Sequence, residues 1–524
     1  MTDSLDQYPS FSFSPKSSTK RSLLIYLLAL CGGILIPLIG TGLFPYFGVF
    51  TGADFLTPEF VCILGLLILG LVAYLAYFRF AVIHPFWLVL YGAVFMRTMS
   101  LISENIDKTG QHFPLRTIQF PLLILPAIFL MIKNFPKLYE RYSYFKYVLL
   151  FIIFHVLYYL FFNYNFVDPS MNGTTGISIS KGEMVDYLYG FTMLVLTGSM
   201  FIHAKSQQER LKLFDILNRI LIIESIVESI AIIAGYPFGL FTMKIEGFRR
   251  SAGFLTHPNE YGKSEGLLLI YLIGLYYYYI KKPFKKMPWT RILLVLAIVV
   301  NFLGFLLSLS KNSFFSFGAA CSLYFLLALF DPDLRKKLAL PILLTVGFIA
   351  LALLGYQAVS DKDIMALITE RFQDTRSFQW RMQVWEYLLS NINRDTILFG
   401  HGLTACNMEL YRFQYNNAIA SEKQSVYVHN GLIQYLYDMG LFGLTIFSGI
   451  IASLVAGIRR FISSRYSPLF VTVIGLSLFV LICTFTDEST TELNMNIPYW
   501  FMLTMIFSIM PDYRLPDFKN HEYQ

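Results

Sequence analysis

A length of 524 residues would suit roughly three or four soluble domains, but 56% of the residues are hydrophobic and only 14% are charged. A water-facing surface ordinarily needs roughly 25% charged residues, so this composition, with a mean hydropathy of +0.56, excludes a soluble multidomain protein and predicts an all-α polytopic membrane protein. The net charge of +7 is no mark of nucleic-acid binding, because the basic residues cluster in short loops between apolar runs, as membrane topology requires.

A bilayer core about 30 Å thick requires roughly 20 apolar residues of helix. Such runs lie near 22–40, 59–79, 81–98, 117–133, 147–163, 184–203 and 217–235. Further runs lie near 264–280, 291–309, 313–330, 338–357, 432–457, 467–486 and 497–511. The expectation is about fourteen transmembrane helices. Only Arg79 separates the runs within 59–98, which makes that division the weakest. The polar N-terminal stretch precedes a full-length span without a small-residue cleavage site, which argues against a removed signal peptide.

The loops set the orientation. Lys16, Lys20 and Arg21 precede the first span and place the N-terminus in the cytoplasm by the positive-inside rule. Alternation then puts Lys133–Lys146, Lys205–Arg219, Lys281–Arg291, Arg335–Lys337 and Arg459–Arg465 on the same side, each a basic cluster. The chain therefore divides into a cytoplasmic tail (1–21), helices over 22–357 with a basic external loop at 236–263, a long external segment at 358–431, helices over 432–511, and a second cytoplasmic tail (512–524). Within the long external segment Phe378, Met382, Trp385 and Leu389 recur at helical spacing. That pattern predicts amphipathic helices lying on the membrane face.

Candidate chemistry concentrates on the external side. Arg249 and Arg250 are paired arginines on the positive-poor side, followed by Gly253 and by His257-Pro258-Asn259. They serve either as an interfacial anchor to lipid phosphate or as a binding site for a phosphorylated ligand, since guanidinium offers forked donors to phosphate oxygens. Lys311, in the tight turn Ser308-Leu309-Ser310-Lys311-Asn312-Ser313, either snorkels to headgroups or faces a polar cavity beside the arginines. His429, at the start of the span 432–457 that contains Asp438, Gly440 and Gly443, is either a satisfied interfacial residue or an imidazole base for a hydroxyl proton. Glu224 and Glu228, four apart within a span, line a hydrated cavity, pair with a cation of another helix, or relay protons. Of Cys31, Cys62, Cys321, Cys406 and Cys483, all but Cys406 sit in apolar runs, leaving no disulfide framework or metal-binding CxxC. Asp331-Pro332-Asp333 reads as loop chemistry, and no nucleotide-loop, dinucleotide, zinc-protease or serine-hydrolase motif occurs.

Taken in order, these pieces resemble the O-antigen ligase and polymerase superfamily of bacterial membrane glycosyltransferases. The matching stretches are Arg250-x-x-Gly253-x-x-x-His257-Pro258-Asn259, the SLSKNS turn, and Arg381-x-x-x-Trp385 leading into Phe399-Gly400-His401-Gly402. His429-Asn430 and Asp438-Met439-Gly440-Leu441-Phe442-Gly443 complete the series, over roughly residues 245–445. The resemblance implies a GT-C-like helical enzyme at the outer face of the inner membrane. It would move a glycan from an undecaprenyl-pyrophosphate donor to a glycan or lipid A-core acceptor, among membrane lipids and with a chain-length regulator as an expected partner. It further implies that Arg250 holds the pyrophosphate and that His429 is the base or orients the acceptor, with Arg249, Lys311, Arg381, His257 and Asn259 in substrate binding. No metal or cofactor is expected. One departure is Lys311, where the family's turn usually carries arginine. The rival expectation is a proton-coupled flippase using Glu224 and Glu228.

Overall fold

The computed structural model describes residues 58–90, 92, 120–161, 176–245, 248–253, 255, 257–281, 288–330, 376–403, 405–416, 428–459, 467–486 and 493–510. The expected spans at 22–40 and 338–357, and both tails, lie outside the described residues. The described chain is predominantly helical. In order it runs through α1 (Pro58–Ile83), α2 (Pro85–Leu90), a π turn at Phe120–Ile124, α3 (Leu125–Arg141), α4 (Phe145–Phe161), α5 (Gly176–His203) and α6 (Gln207–Gly235). A 3-10 turn at Tyr236–Phe238 leads to strands β1 (Thr242–Ile245) and β2 (Phe248–Ser251). Then come α7 (Pro258–Lys281), α8 (Pro288–Leu307), α9 (Lys311–Phe330), α10 (Arg376–Ser390) and α11 (Ala405–Asn416). The described chain closes with α12 (Gly431–Arg459), α13 (Ser467–Thr486) and α14 (Leu493–Ile509).

Most expected spans coincide with helices to within a few residues. Two differ for clear reasons. The break near Arg79 falls instead at His84, because Pro85 has no N–H to continue the α1 ladder and is favoured where a new helix begins. The basic loop after α6 is a two-stranded antiparallel hairpin rather than irregular chain, pairing Met243 with Arg250 and Lys244 with Arg249. Among the described residues three helices are long and apolar enough to cross a membrane: Leu122–Arg141, Trp289–Leu307 and Pro468–Phe485.

The chain forms two compact units, one of Met1–Leu88 with Pro114–Phe129 and one of the remaining residues. In the first, Tyr77 donates its hydroxyl to the Leu122 carbonyl at 2.7 Å. In the second, α7 is the axis: every described residue from Tyr261 to Leu272 is buried, and α8, α9, α13 and α14 pack around it. Polar bonds fix these apolar helices in register. Tyr271 donates to Asn218 Oδ1 at 2.7 Å, tying α7 to α6, and Ser229 donates to Asn301 Oδ1 at 2.9 Å, tying α6 to α8. Such bonds between helices are worth roughly 0.6 kcal/mol each in a membrane, so they specify orientation more than they stabilise. Arg141 Nη2 reaches the Ser508 and Met510 carbonyls at 2.6 and 3.2 Å, capping the C-terminus of α14.

One helix is broken and repaired. At Gly440 the backbone of α12 turns to φ 66°, ψ −165°, so the regular ladder fails between its two halves. Residues 397–402 are spliced into the gap. Leu441 and Phe442 donate their N–H groups to the Ile397 and Leu398 carbonyls at 2.8 and 3.1 Å, while the Tyr437 and Asp438 carbonyls accept from His401 and Gly402 at 2.9 and 3.0 Å. The two backbones approach so closely that a Cβ on Gly440 would lie 2.4 Å from the Leu398 carbonyl, and one on Gly400 would lie 2.3 Å from that of Asp438.

Gly440→Ala therefore combines a positive φ with a clash against rigid backbone and should destabilise the full chain by about 2–5 kcal/mol. Gly318→Ala, with no atom within 4 Å of the new methyl, should leave stability within about 0.5 kcal/mol or raise it slightly. Thermal unfolding of the detergent-solubilised protein reads both; equal midpoints would refute the splice.

Candidate functional site

The hairpin separates the paired arginines. Successive strand residues point to opposite faces, so Arg249 is exposed while Arg250 is turned inward and only 1% exposed. The Arg250 guanidinium is held from two sides. Nε donates to the Ser308 carbonyl at 2.9 Å, and Nη2 donates to Asn259 Oδ1 at 2.6 Å. Ser308 follows the last residue of α8, where carbonyls lack partners within the helix and carry its negative dipole end. A cation is the natural cap there.

Asn259 is itself positioned by the start of α7. His257 precedes Pro258, which opens the helix, and its Nδ1 accepts the Asn259 N–H at 3.2 Å. Because Nδ1 accepts, a neutral His257 carries its proton on Nε2. The Gly253 turn, at φ +57°, delivers the chain from β2 to that cap. Arg250, Asn259 and His257 thus form one hydrogen-bonded series.

The SLSKNS turn closes the other side. Ser308, Ser310 and Ser313 are all buried, with Ser310 and Ser313 hydroxyls 2.8 Å apart and Leu309 held at φ 48°. Gly262 on α7 lies against this turn: a Cβ there would come within 2.7 Å of Ser308 Oγ and 2.9 Å of Ser313 Oγ. Lys311 is the first residue of α9 and is half-buried, three positions beyond the carbonyl that binds Arg250.

His429 and Arg381 belong to a second constellation. Asn430 caps α12 by accepting the Leu432 and Ile433 N–H groups at 3.1 Å each. His429 sits one residue earlier, half-buried, at φ 54°. α10 lies beside it: Trp385 Nε1 donates to the Val428 carbonyl at 3.0 Å, and the Trp380 and His429 rings meet edge to face at 6.5 Å. Arg381 is half-buried on the same helix. The expected apolar face of α10 is rotated. Val384 and Leu388 form its buried stripe with Cys406, Leu410 and Tyr437, while Met382 and Leu389 are exposed and Trp385 packs at the edge; the Phe378 side chain lies outside the described residues. Spacing alone did not reveal which of two overlapping stripes faces a partner.

Asp438 was expected only as part of a motif, yet it is a principal anchor. Buried in α12, its Oδ1 accepts the Cys406 N–H at 2.8 Å and its Oδ2 accepts the Cys406 thiol at 3.3 Å. Together with His401 stacked on Tyr437 at 4.2 Å, it clamps the spliced segment and α11 to the helix that follows His429. Sequence reasoning also missed Lys263 and Glu265, both fully buried near the start of α7. Their charge inside an apolar run was the available signal. Glu228 is buried on α6, with Glu224 partly so.

Apolar helices around buried cations and carboxylates define a helical membrane protein with a polar interior site. Comparison with known families gives a more particular statement: residues 292–448 match the model of the O-antigen ligase family. That stretch, under a third of the chain, is similar to an O-antigen ligase domain. The match takes in the SLSKNS turn, Arg381, the 397–402 splice, His429 and Asp438, whereas Arg250, His257 and Asn259 lie before it. No curated protein matches the chain.

Asn259→Leu removes a charge-assisted partner from a buried guanidinium and should cost about 1.5–3 kcal/mol, whereas Asn259→Asp retains the acceptor and should cost less. Arg249→Ala, on an exposed site, should stay within about 0.5 kcal/mol. Thermal unfolding distinguishes them, and an Arg249 effect as large as that of Asn259 would contradict this assignment of faces.

Proposed function

We propose that the protein transfers a glycan from an undecaprenyl-pyrophosphate donor to an acceptor hydroxyl at the outer face of the bacterial inner membrane, as an O-antigen-type polymerase or an O-antigen ligase. The observation that carries this reading is the buried Arg250 guanidinium bound to Ser308, the turn where the O-antigen ligase domain meets the preceding α7 segment. A guanidinium already oriented by these acceptors can present its forked donors to phosphate oxygens, and a lipid-linked pyrophosphate is the anion this chemistry calls for.

In this reading Arg250 and Lys311 receive the donor pyrophosphate, Asn259 fixes the guanidinium, and His257 fixes Asn259. Arg381 and His429, from the second constellation, act on the same substrate in this reading. The acceptor oxygen attacks the anomeric carbon, its proton passes to the His429 imidazole, and the carbon–oxygen bond to phosphate breaks. The lipid pyrophosphate leaves with one more negative charge than it held as a diester. Cations placed at that charge bind the transition state better than the substrate. Lys311 supplies charge without the fork of an arginine, so Arg250 carries the directional bonding. Side-chain cations suffice for this stabilisation, and transfer is expected to persist in EDTA; activity abolished by EDTA and restored by Mg²⁺ would overturn that.

Polymerase is placed slightly ahead of ligase, because no motif in the sequence identifies a lipid A-core site. A chain-length regulator would then be a partner. A deletion strain should accumulate single repeat units on lipid; long chains stranded on undecaprenyl pyrophosphate would indicate ligase instead.

Arg250→Lys and His429→Ala should each lower transfer by about 10²–10³ while the protein remains folded. Buried Glu228 favours one competing reading, a proton-coupled flippase. In a complementation assay, a silent His429→Ala beside a null Glu228→Gln would establish that alternative and remove the transferase.

A further inference from the structure

The hairpin presents two faces, and the transferase reading uses one. On the other, Lys244 and Arg249 are direct cross-strand partners, both exposed. Like charges directly opposite on one sheet face repel. Among the described residues neither is paired with an acid.

Apolar groups flank this cationic pair. Phe238 is 82% exposed and Leu240 is 55% exposed. Gly239 between them adopts φ +77°, and a Cβ there would lie 4.0 Å from Arg249 Cζ. The Arg249 guanidinium therefore lies close to Gly239, whose chain neighbours Phe238 and Leu240 are both exposed. Tyr236 holds this arrangement by donating its hydroxyl to the Arg249 carbonyl at 2.8 Å.

The direction of this face is set by α6. Its exposed stripe runs through Ile223, Val227, Ile230 and Ala234, the three- and four-residue spacing of one helix side. Continued by four residues, the stripe arrives at Phe238. In the span that the sequence predicts over residues 217–235, an exposed apolar stripe of this kind is the side turned to lipid. The exposed cations therefore stand where lipid-facing helix gives way to the headgroup layer.

We propose that Lys244 and Arg249 form a binding site for the phosphate of an anionic phospholipid, with Phe238 and Leu240 inserted among the acyl chains. The site is separate from the Arg250 pocket, since adjacent strand positions face opposite ways. One bound phosphate relieves the repulsion between the two cations and fixes the hairpin to the bilayer. Arg249 thus binds a structural lipid while its neighbour Arg250 faces the interior.

Native mass spectrometry of the detergent-solubilised full chain tests this, using phosphatidylglycerol and phosphatidylcholine with identical acyl chains in equal amounts. The excess retention of phosphatidylglycerol should fall by about fivefold for each charge removed in Lys244→Gln and Arg249→Gln. Arg249→Lys should keep most of it, and Phe238→Ser should weaken retention of both lipids alike. Basic clusters elsewhere in the chain are unchanged in every variant, so the difference from wild type isolates this site. An undiminished preference in the doubly substituted protein would overturn the proposal. So would displacement of the lipid by equimolar inorganic pyrophosphate, which would mark the patch as a site for soluble anions.

Discussion

Backbone polar groups within a bilayer must find partners inside the protein, since no water is present to accept or donate. That constraint organises the region around α12. Breaking the helix at Gly440 frees two carbonyls and two N–H groups, and residues 397–402 satisfy all four with the spacing of the missing ladder. The splice is therefore obligatory: without it, each orphaned group would cost about 1–3 kcal/mol. It also fixes the path of the chain into α11, held by Asp438, and the start of α12, where His429 sits. A local backbone requirement thus places side chains across a stretch of more than forty residues.

The same economy operates at Arg250. The C-terminus of α8 needs a donor for its last carbonyls, the start of α7 presents the Asn259 amide, and one guanidinium answers both. The cation and the helix ends stabilise one another before any substrate arrives. For the transfer proposed above, such an arrangement has the advantage that donors already oriented need no reorganisation as charge develops.

Much of this was legible in the sequence, for identifiable reasons. Spans follow from apolar length, and most helices fall where that length predicts. Arg250, His257 and Asn259 were legible as a group because turn residues placed between them keep them close in space. The hairpin was not legible. Its strands are only four residues each, too short for an alternating pattern to emerge, so two adjacent arginines read as one patch instead of two faces. The α10 stripe was misread because Trp380, Trp385 and Tyr387 border both candidate faces. Lys263 and Glu265 went unremarked because they stand at the start of an apolar run, although both are fully buried in α7. Gly440 carried a signal only in combination with Gly400, forty positions earlier, and that pairing belongs to tertiary structure.

Arg250 also has consequences for how the chain is made. Its acceptor at Ser308 lies 58 positions downstream, so the carbonyl does not exist when the hairpin leaves the ribosome. Synthesis at roughly 5–20 residues per second leaves an interval of several seconds in which the side chain must remain hydrated. Docking of the hairpin is then coupled to membrane insertion of α8, and the pocket closes only after that later helix has arrived.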